Sequence, residues 1–168
     1  MSFLIYPHKF SARHLHFGTA VQNNDATDSK FARIVYSTKH ISFNGVGIIV
    51  DLATAQCDPH YNKVFVRFDP GLPANKQNVS QLCDIESQIL SNYAGSVVGG
   101  ARRCAHLLRD QLNSGCIKAY VNDRAGSSAD NATGTGTGTG TGTQIMLKIC
   151  GIWETNDECG MTYKFIKC

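Results

Sequence analysis

An uninterrupted alternation of threonine and glycine from Thr133 to Thr143 constrains the fold of this chain more than any other sequence feature. With the small and polar residues before it, this repeat makes residues 125–143 a stretch without any large apolar side chain. Glycine raises the entropic cost of ordering such a stretch, and no buried surface offsets that cost. The residues that follow, 144–168, are too few to form a core of their own. We therefore predict one domain over residues 1–168, with residues 125–143 as a flexible loop within it.

The composition narrows the class of protein. Charged residues make up only 17% of the 168 residues, which argues against a highly charged disordered chain. No stretch approaches the ~20 apolar residues that span a bilayer. The apolar start of the chain is interrupted by Tyr6-Pro7-His8-Lys9 before a secretory signal forms. We expect a soluble, intracellular protein without membrane contact, in which the seven cysteines are reduced thiols.

Strand patterns dominate the chain. Residues 63–68 give the clearest period of two, because Val64 and Val66 alternate with Lys63, Phe65 and Arg67. Within residues 41–52, the pair Asn44-Gly45 indicates a turn or bulge inside a strand. The segments predicted as strands are 31–37, 41–52, 63–68, 116–121, 144–151 and 161–167, the last two joined by a hairpin turn.

Two helices are predicted between the third and fourth strands. The first begins at Asn78, which with Gln81 resembles a capping box, and apolar residues follow at helical spacing. The second covers residues 101–113, with Arg102, Arg103 and Arg109 on its polar side, and ends at Gly115. The order of elements is that of an α+β protein, mainly antiparallel β, with an OB-like barrel and a helical insertion between strands 3 and 4.

Nucleic-acid binding is the chemistry that the side chains favour most. Aromatic residues stack on bases and nearby cations bind phosphates, and three predicted strands interleave the two types. Arg102 and Arg103 add a basic helix face. The alternative that the aromatic residues are core and the cations ordinary surface residues stays open. The candidate binding residues are Arg33, Tyr36, Lys39, Lys63, Phe65, Arg67, Arg102, Arg103, Lys148, Trp153, Tyr163, Lys164, Phe165 and Lys167.

The N-terminal segment has two interpretations. Its residues Lys9, Phe10, Arg13 and Phe17 form either a basic-aromatic arm that folds onto nucleic acid or a neighbouring subunit, or an ordinary terminal strand.

Other functional chemistry has little support in the sequence. Cys57 and His60 have the spacing of half a zinc site, but no Cys-x2-Cys pair completes it. The chain has no P-loop, no dinucleotide-binding glycine motif and no nucleophile elbow. We expect no catalytic activity, no metal and no cofactor.

Two C-terminal segments carry a family resemblance. Residues 147–155 and 160–165, which read LKICGIWET and GMTYKF, resemble the terminal hairpin of OB-fold single-stranded-DNA-binding proteins of DNA viruses. The resemblance implies a replication or recombination factor that coats single strands, often as an oligomer, in the host nucleus or at a cytoplasmic replication site. It also implies stacking by Trp153, Tyr163 and Phe165, and phosphate contacts from Lys148, Lys164 and Lys167.

Three functional hypotheses follow. The first is a sequence-independent single-stranded-nucleic-acid-binding protein, with DNA favoured over RNA and a homo-oligomeric state. The second is a structural or assembly protein, such as a virion component, whose β-rich surface makes subunit contacts. The third is a regulatory domain whose thiols sense oxidation.

Overall fold

The computed structural model describes residues 4–22, 28–96, 102–121 and 142–168. The predicted flexible loop over residues 125–143 lies outside these ranges except for its last two residues. Thr143, the final residue of the repeat, already belongs to a strand.

Strands and two α-helices make up most of the described residues. Two short 3-10 turns, Pro7–Lys9 and Ala12–His14, lie near the N-terminus. The strands are β1 (Leu4–Ile5), β2 (Leu15–Phe17), β3 (Val21–Gln22), β4 (Lys30–Ser37), β5 (Ser42–Asn44), β6 (Val46–Leu52), β7 (Gln56–His60), β8 (Lys63–Arg67), β9 (Arg103–Ala105), β10 (Cys116–Val121), β11 (Thr143–Glu154) and β12 (Glu158–Lys167), and the helices are α1 (Pro73–Ser96) and α2 (Leu107–Asn113).

The strands form one mixed sheet in the order β1-β6-β11-β12-β10-β8-β7. Most pairs along this path are antiparallel, while β1 pairs with β6 and β10 with β12 in parallel. The second half of β11 leaves β6 and pairs with β4, which in turn pairs with β2, β3 and β5. The predicted α+β class is confirmed. The described residues contain no pair between the two ends of the path, so the sheet is open and the predicted barrel is not confirmed.

Gly45 bends the chain between β5 and β6. Its φ of +79° lies in the left-handed region, and a Cβ there would lie 2.6 Å from the carbonyl oxygen of Ile149. Because of this bend, β5 pairs with β4 while β6 pairs with β11. The irregularity predicted at Asn44-Gly45 is confirmed.

Helix α1 begins at Pro73, five residues before the predicted start at Asn78, so that prediction was wrong. A proline is well suited to the first turn of a helix, because the N–H it lacks would have no partner there. The Asn78 side chain donates a hydrogen bond to the carbonyl of Asp51. Leu82, Ile85 and Ile89 are buried in the core, as their helical spacing predicts.

The second predicted helix is shorter than expected. Residues 103–105 form β9, which pairs in parallel with β12, and α2 begins only at Leu107. Gly115 follows the helix with a φ of +70°, which confirms the predicted end. Arg102 and Arg103 therefore lie outside α2, and the predicted basic helix face does not form.

The two helices and the sheet enclose one hydrophobic core. Buried side chains from α1 and α2 pack with those from β4, β6, β8, β10, β11 and β12. Successive strand residues point to opposite sides, so the alternate residues of these strands form a second surface, directed away from the core. We call this second surface the outer face.

Candidate nucleic-acid interface

Cations and aromatic rings alternate on the outer face of β8 and β10. Phe65 lies directly opposite Lys118, and Lys63 lies directly opposite Tyr120. The Lys63 Nζ is 5.8 Å from the centre of the Tyr120 ring, within the range of a cation–π interaction. The core-facing residues of the same strands, such as Val64, Val66 and Ala119, are buried.

Two lysines face each other at the centre of the outer face. Lys148 on β11 and Lys164 on β12 are direct cross-strand partners. Among the described residues, neither lysine forms an ion pair with a carboxylate. Like charges in this position repel and lower the stability of a sheet. An anion bound between the two side chains would remove that repulsion.

A β-bulge brings Trp153 to the same face as Lys148. The register of β11 against β12 shifts between Ile149 and Gly151, which leaves Cys150 as the extra residue. Ile149 and Ile152 are both buried, so Cys150 and Gly151 both lie toward the outer face. Trp153 then lies opposite Gly160, and its ring covers that glycine so closely that a Cβ would come within 2.4 Å of it.

A groove of about 420 Å³ opens beside Trp153. It lies where β12 changes neighbours, since residues 158–160 pair with β9 and residues 165–167 pair with β10. Leu107 and Gln111 of α2 reach the gap between these two strands. Its lining includes Lys118, Tyr120, Trp153, Thr162 and Lys164.

Tyr163 belongs to the wall of this groove through its contact with α2. Its hydroxyl donates a hydrogen bond of 2.9 Å to the Gln111 side-chain oxygen. Burial, reinforced by the nearby carboxylates of Glu86 and Asp110, raises the pKa of Tyr163 to about 12. The ring packs against Phe165 at 5.7 Å and is held in place rather than free to stack on a base.

The structure brings seven of the predicted binding residues to the outer face. One of them, Arg67, is in an ion pair with Asp58, at 3.2 Å between exposed side chains. Arg33, Lys63, Lys148 and Lys164 form no ion pair within the described parts of the chain. The seven are Arg33, Lys63, Phe65, Arg67, Lys148, Trp153 and Lys164.

Tyr36 and Phe165 were predicted to bind nucleic acid, and this was wrong. Each ring is only 2% exposed and lies in the hydrophobic core. The Tyr36 hydroxyl accepts a hydrogen bond from the backbone N–H of Ser11. Neither ring has a free side on which a base could stack.

Arg102 and Arg103 both bind carboxylates of the protein itself. Arg102 donates to Glu154 over 2.9 Å, and the Glu154 side chain is only 6% exposed. The Tyr93 hydroxyl donates to the same carboxylate oxygen over 2.7 Å, and burial raises the pKa of Tyr93. Arg103 pairs with Glu158. The prediction that these two arginines form a phosphate-binding helix face is corrected, because Arg102 has a structural role beside a buried charge.

The remaining predicted cations lie apart from the outer face. Lys167 pairs with Ile145 and therefore shares the core-facing side of β12, at the end of that strand. Lys39 is exposed in the turn between β4 and β5.

The rings of the N-terminal segment pack on the protein. Phe17 contacts Tyr93 at 5.1 Å between ring centres, and Phe10 lies 6.0 Å from Tyr36. Leu15–Phe17 forms β2 and pairs with β4, as the terminal-strand interpretation predicts. These contacts leave Phe10 and Phe17 unsuited to a nucleic-acid arm.

Sequence reasoning missed Lys118, Tyr120 and Thr162 of the groove. Lys118 and Tyr120 alternate along β10 as Lys63 and Phe65 do along β8, and residues 116–121 were predicted to be a strand. The same period-two argument would have found them.

The described residues contain neither a membrane-spanning helix nor a cluster of metal ligands. No helix among them has the length and apolar character to cross a membrane. In the same residues, no three histidine, cysteine, aspartate or glutamate side chains come together as a metal would require.

Comparison with known proteins gives no relative. No protein-family model, no curated protein and no solved structure matches the chain. Function is therefore inferred from the geometry of the outer face.

Proposed function

We propose that the outer face binds single-stranded nucleic acid without sequence preference and without catalysis. The observation that carries this proposal is the unscreened pair Lys148 and Lys164 at the centre of a face that also presents Trp153 and Tyr120. A polyanion relieves the repulsion between the two lysines. If the polyanion is a nucleic acid, its bases can stack on the adjacent aromatic rings.

The accessibility of the bases distinguishes single strands from duplexes. Trp153 has one side of its ring against Gly160 and lines the open groove. A base can stack on such a ring only if it is free of its own helical neighbours, which favours a single strand. Stacking contributes about 1–3 kcal/mol per base and tolerates every base, so the binding is expected to be independent of sequence.

The biological role is proposed from the same site together with the likeness of residues 147–155 and 160–165 to the terminal hairpin of viral OB-fold single-stranded-DNA-binding proteins. We propose a replication or recombination factor that coats single-stranded DNA as a homo-oligomer.

The experiment is fluorescence anisotropy with a labelled oligo-dT of about 30 nucleotides, long enough for several sites of the usual 4–16 nucleotides. Three to five phosphate contacts by Lys118, Lys148, Lys164 and their neighbours predict a slope of log K against log salt between about −2 and −3.5. A duplex of the same length should compete poorly.

Matched variants locate the site. Tyr120→Ala removes a stacking ring and should weaken binding by a factor of about five to 150, from ~1–3 kcal/mol per stacked base. Lys76→Gln removes an exposed charge on α1 and should leave the affinity nearly unchanged. The absence of binding by the wild-type protein at low salt, with salt-resistant self-association, would contradict the proposal and favour an assembly protein.

A further inference from the structure

A second groove lies next to the first on the outer face. It has a volume of about 250 Å³. Its lining residues are Phe31, Arg33, Asn44, Lys148 and Cys150. It combines a ring and cations, the same chemistry as the first groove.

Two cross-strand pairs connect the grooves. Phe31 of the second groove lies directly opposite Trp153 of the first, on β4 and β11. Lys148 of the second lies directly opposite Lys164 of the first, on β11 and β12. Directly opposed side chains have Cβ atoms only ~4.5–5.5 Å apart, so the two grooves are adjacent on the outer face.

The ring of Phe31 is set on the sheet in the same way as that of Trp153. It covers Gly151, where a Cβ would lie within 2.4 Å of the ring. The bulge at Cys150 turns both Cys150 and Gly151 to this side, so the second groove depends on the same irregularity as the first. Each groove thus has a ring seated on a glycine and a lysine from the central pair.

We propose that the second groove binds the continuation of the same single strand, which crosses β10, β12, β11 and β4 at a large angle to the strands. This inference rests on the function proposed above. Three steps of ~4.8 Å between neighbouring strands give ~14 Å, which corresponds to roughly four nucleotides at the ~3.4 Å spacing of stacked bases. Arg33 and Lys148 bind the phosphates in the second groove, and Phe31 offers the ring.

The test compares Arg33→Gln with Lys30→Gln. Both residues are exposed on β4. Lys30, however, lies on the opposite side of that strand from Arg33, the side that carries the buried Ala32 and Ile34. Arg33→Gln should weaken binding of a twelve-nucleotide oligo-dT severalfold and make the salt slope shallower by ~0.7, the value of one lost phosphate contact to a single strand. Lys30→Gln should leave the slope unchanged.

Alkylation of Cys150 gives a second readout that does not depend on affinity. A saturating oligo-dT should protect Cys150 from a maleimide, as mapped by mass spectrometry, while Cys83 on α1 reacts at its original rate. If the wild-type protein binds but Arg33→Gln keeps its affinity and slope and Cys150 remains unprotected, the second groove is not part of the path. If the wild-type protein does not bind oligo-dT at all, the proposed function itself is contradicted.

Discussion

Lys148 and Lys164 are direct cross-strand partners, and no carboxylate among the described residues neutralises either of them. The repulsion between them lowers the stability of the free protein, and an anion bound between them would relieve it. Stability and binding should therefore respond in opposite directions when one of the two charges is removed.

The first prediction concerns Lys148→Gln. Loss of the repulsion should raise the free energy of unfolding by about 0.2–1 kcal/mol at low salt, the usual size of a cross-strand pair interaction. Loss of a phosphate contact should at the same time weaken oligo-dT binding. Urea unfolding and anisotropy measure the two effects. A variant that is less stable than the wild type and binds oligo-dT with unchanged affinity would contradict this explanation.

The second prediction concerns the glycine under the Trp153 ring. Gly160→Ala places a methyl group 2.4 Å from the ring, so the ring must move. We expect a loss of about 1–3 kcal/mol of stability, as for other overpacked sites, together with a shift in the Trp153 emission. Gly95→Ala is the control, because nothing lies within 4 Å of a Cβ at that helical position. It should stabilise the protein by about 0.4–1 kcal/mol.

The third prediction distinguishes the contributions of two adjacent arginines, Arg102 and Arg103, to the stability of the protein. Arg102→Ala leaves the buried Glu154 carboxylate without its cation and should cost about 2–3 kcal/mol, near the low end for a broken buried pair because the arginine is 25% exposed. Arg103→Ala removes a cation whose side chain is 80% exposed and should change stability little. Thermal unfolding of the two variants tests this, and equal Tm values would show that the Glu154 pair has no structural role.

The fourth prediction concerns alkaline pH. Burial raises the pKa of Tyr163 from 10 to about 12, so the folded protein retains a proton that the unfolded chain loses between these values. This contribution to stability is fully present below pH 10 and is lost as the pH rises toward 12. Tyr163→Phe should make the fall in stability less steep over this range. Tyr61→Phe, at a 96% exposed position, should leave it unchanged.

Some of the interface follows from the sequence because it depends only on local alternation. Lys63 and Phe65 share a face of β8 for this reason, and the buried Val64 and Val66 confirm the assignment. The α+β class and the closing hairpin follow from the same kind of local pattern.

Other parts of the interface depend on register and could not be predicted. Lys148 and Trp153 are five positions apart in the sequence, an odd offset, so strict alternation would place them on opposite faces. Only the bulge at Cys150 brings them together, and strand register is fixed by long-range pairing. The burial of Glu154 also could not be predicted from the sequence, so its ion pair with Arg102 was not expected.

Titration of the Trp153 fluorescence with oligo-dT tests the central claim most directly, because Trp153 is the only tryptophan in the chain. We expect quenching that saturates together with the anisotropy of the labelled oligonucleotide and is reversed by added salt. Binding that leaves the Trp153 emission unchanged, or no binding at low salt, would contradict the claim that the outer face is a single-strand-binding surface.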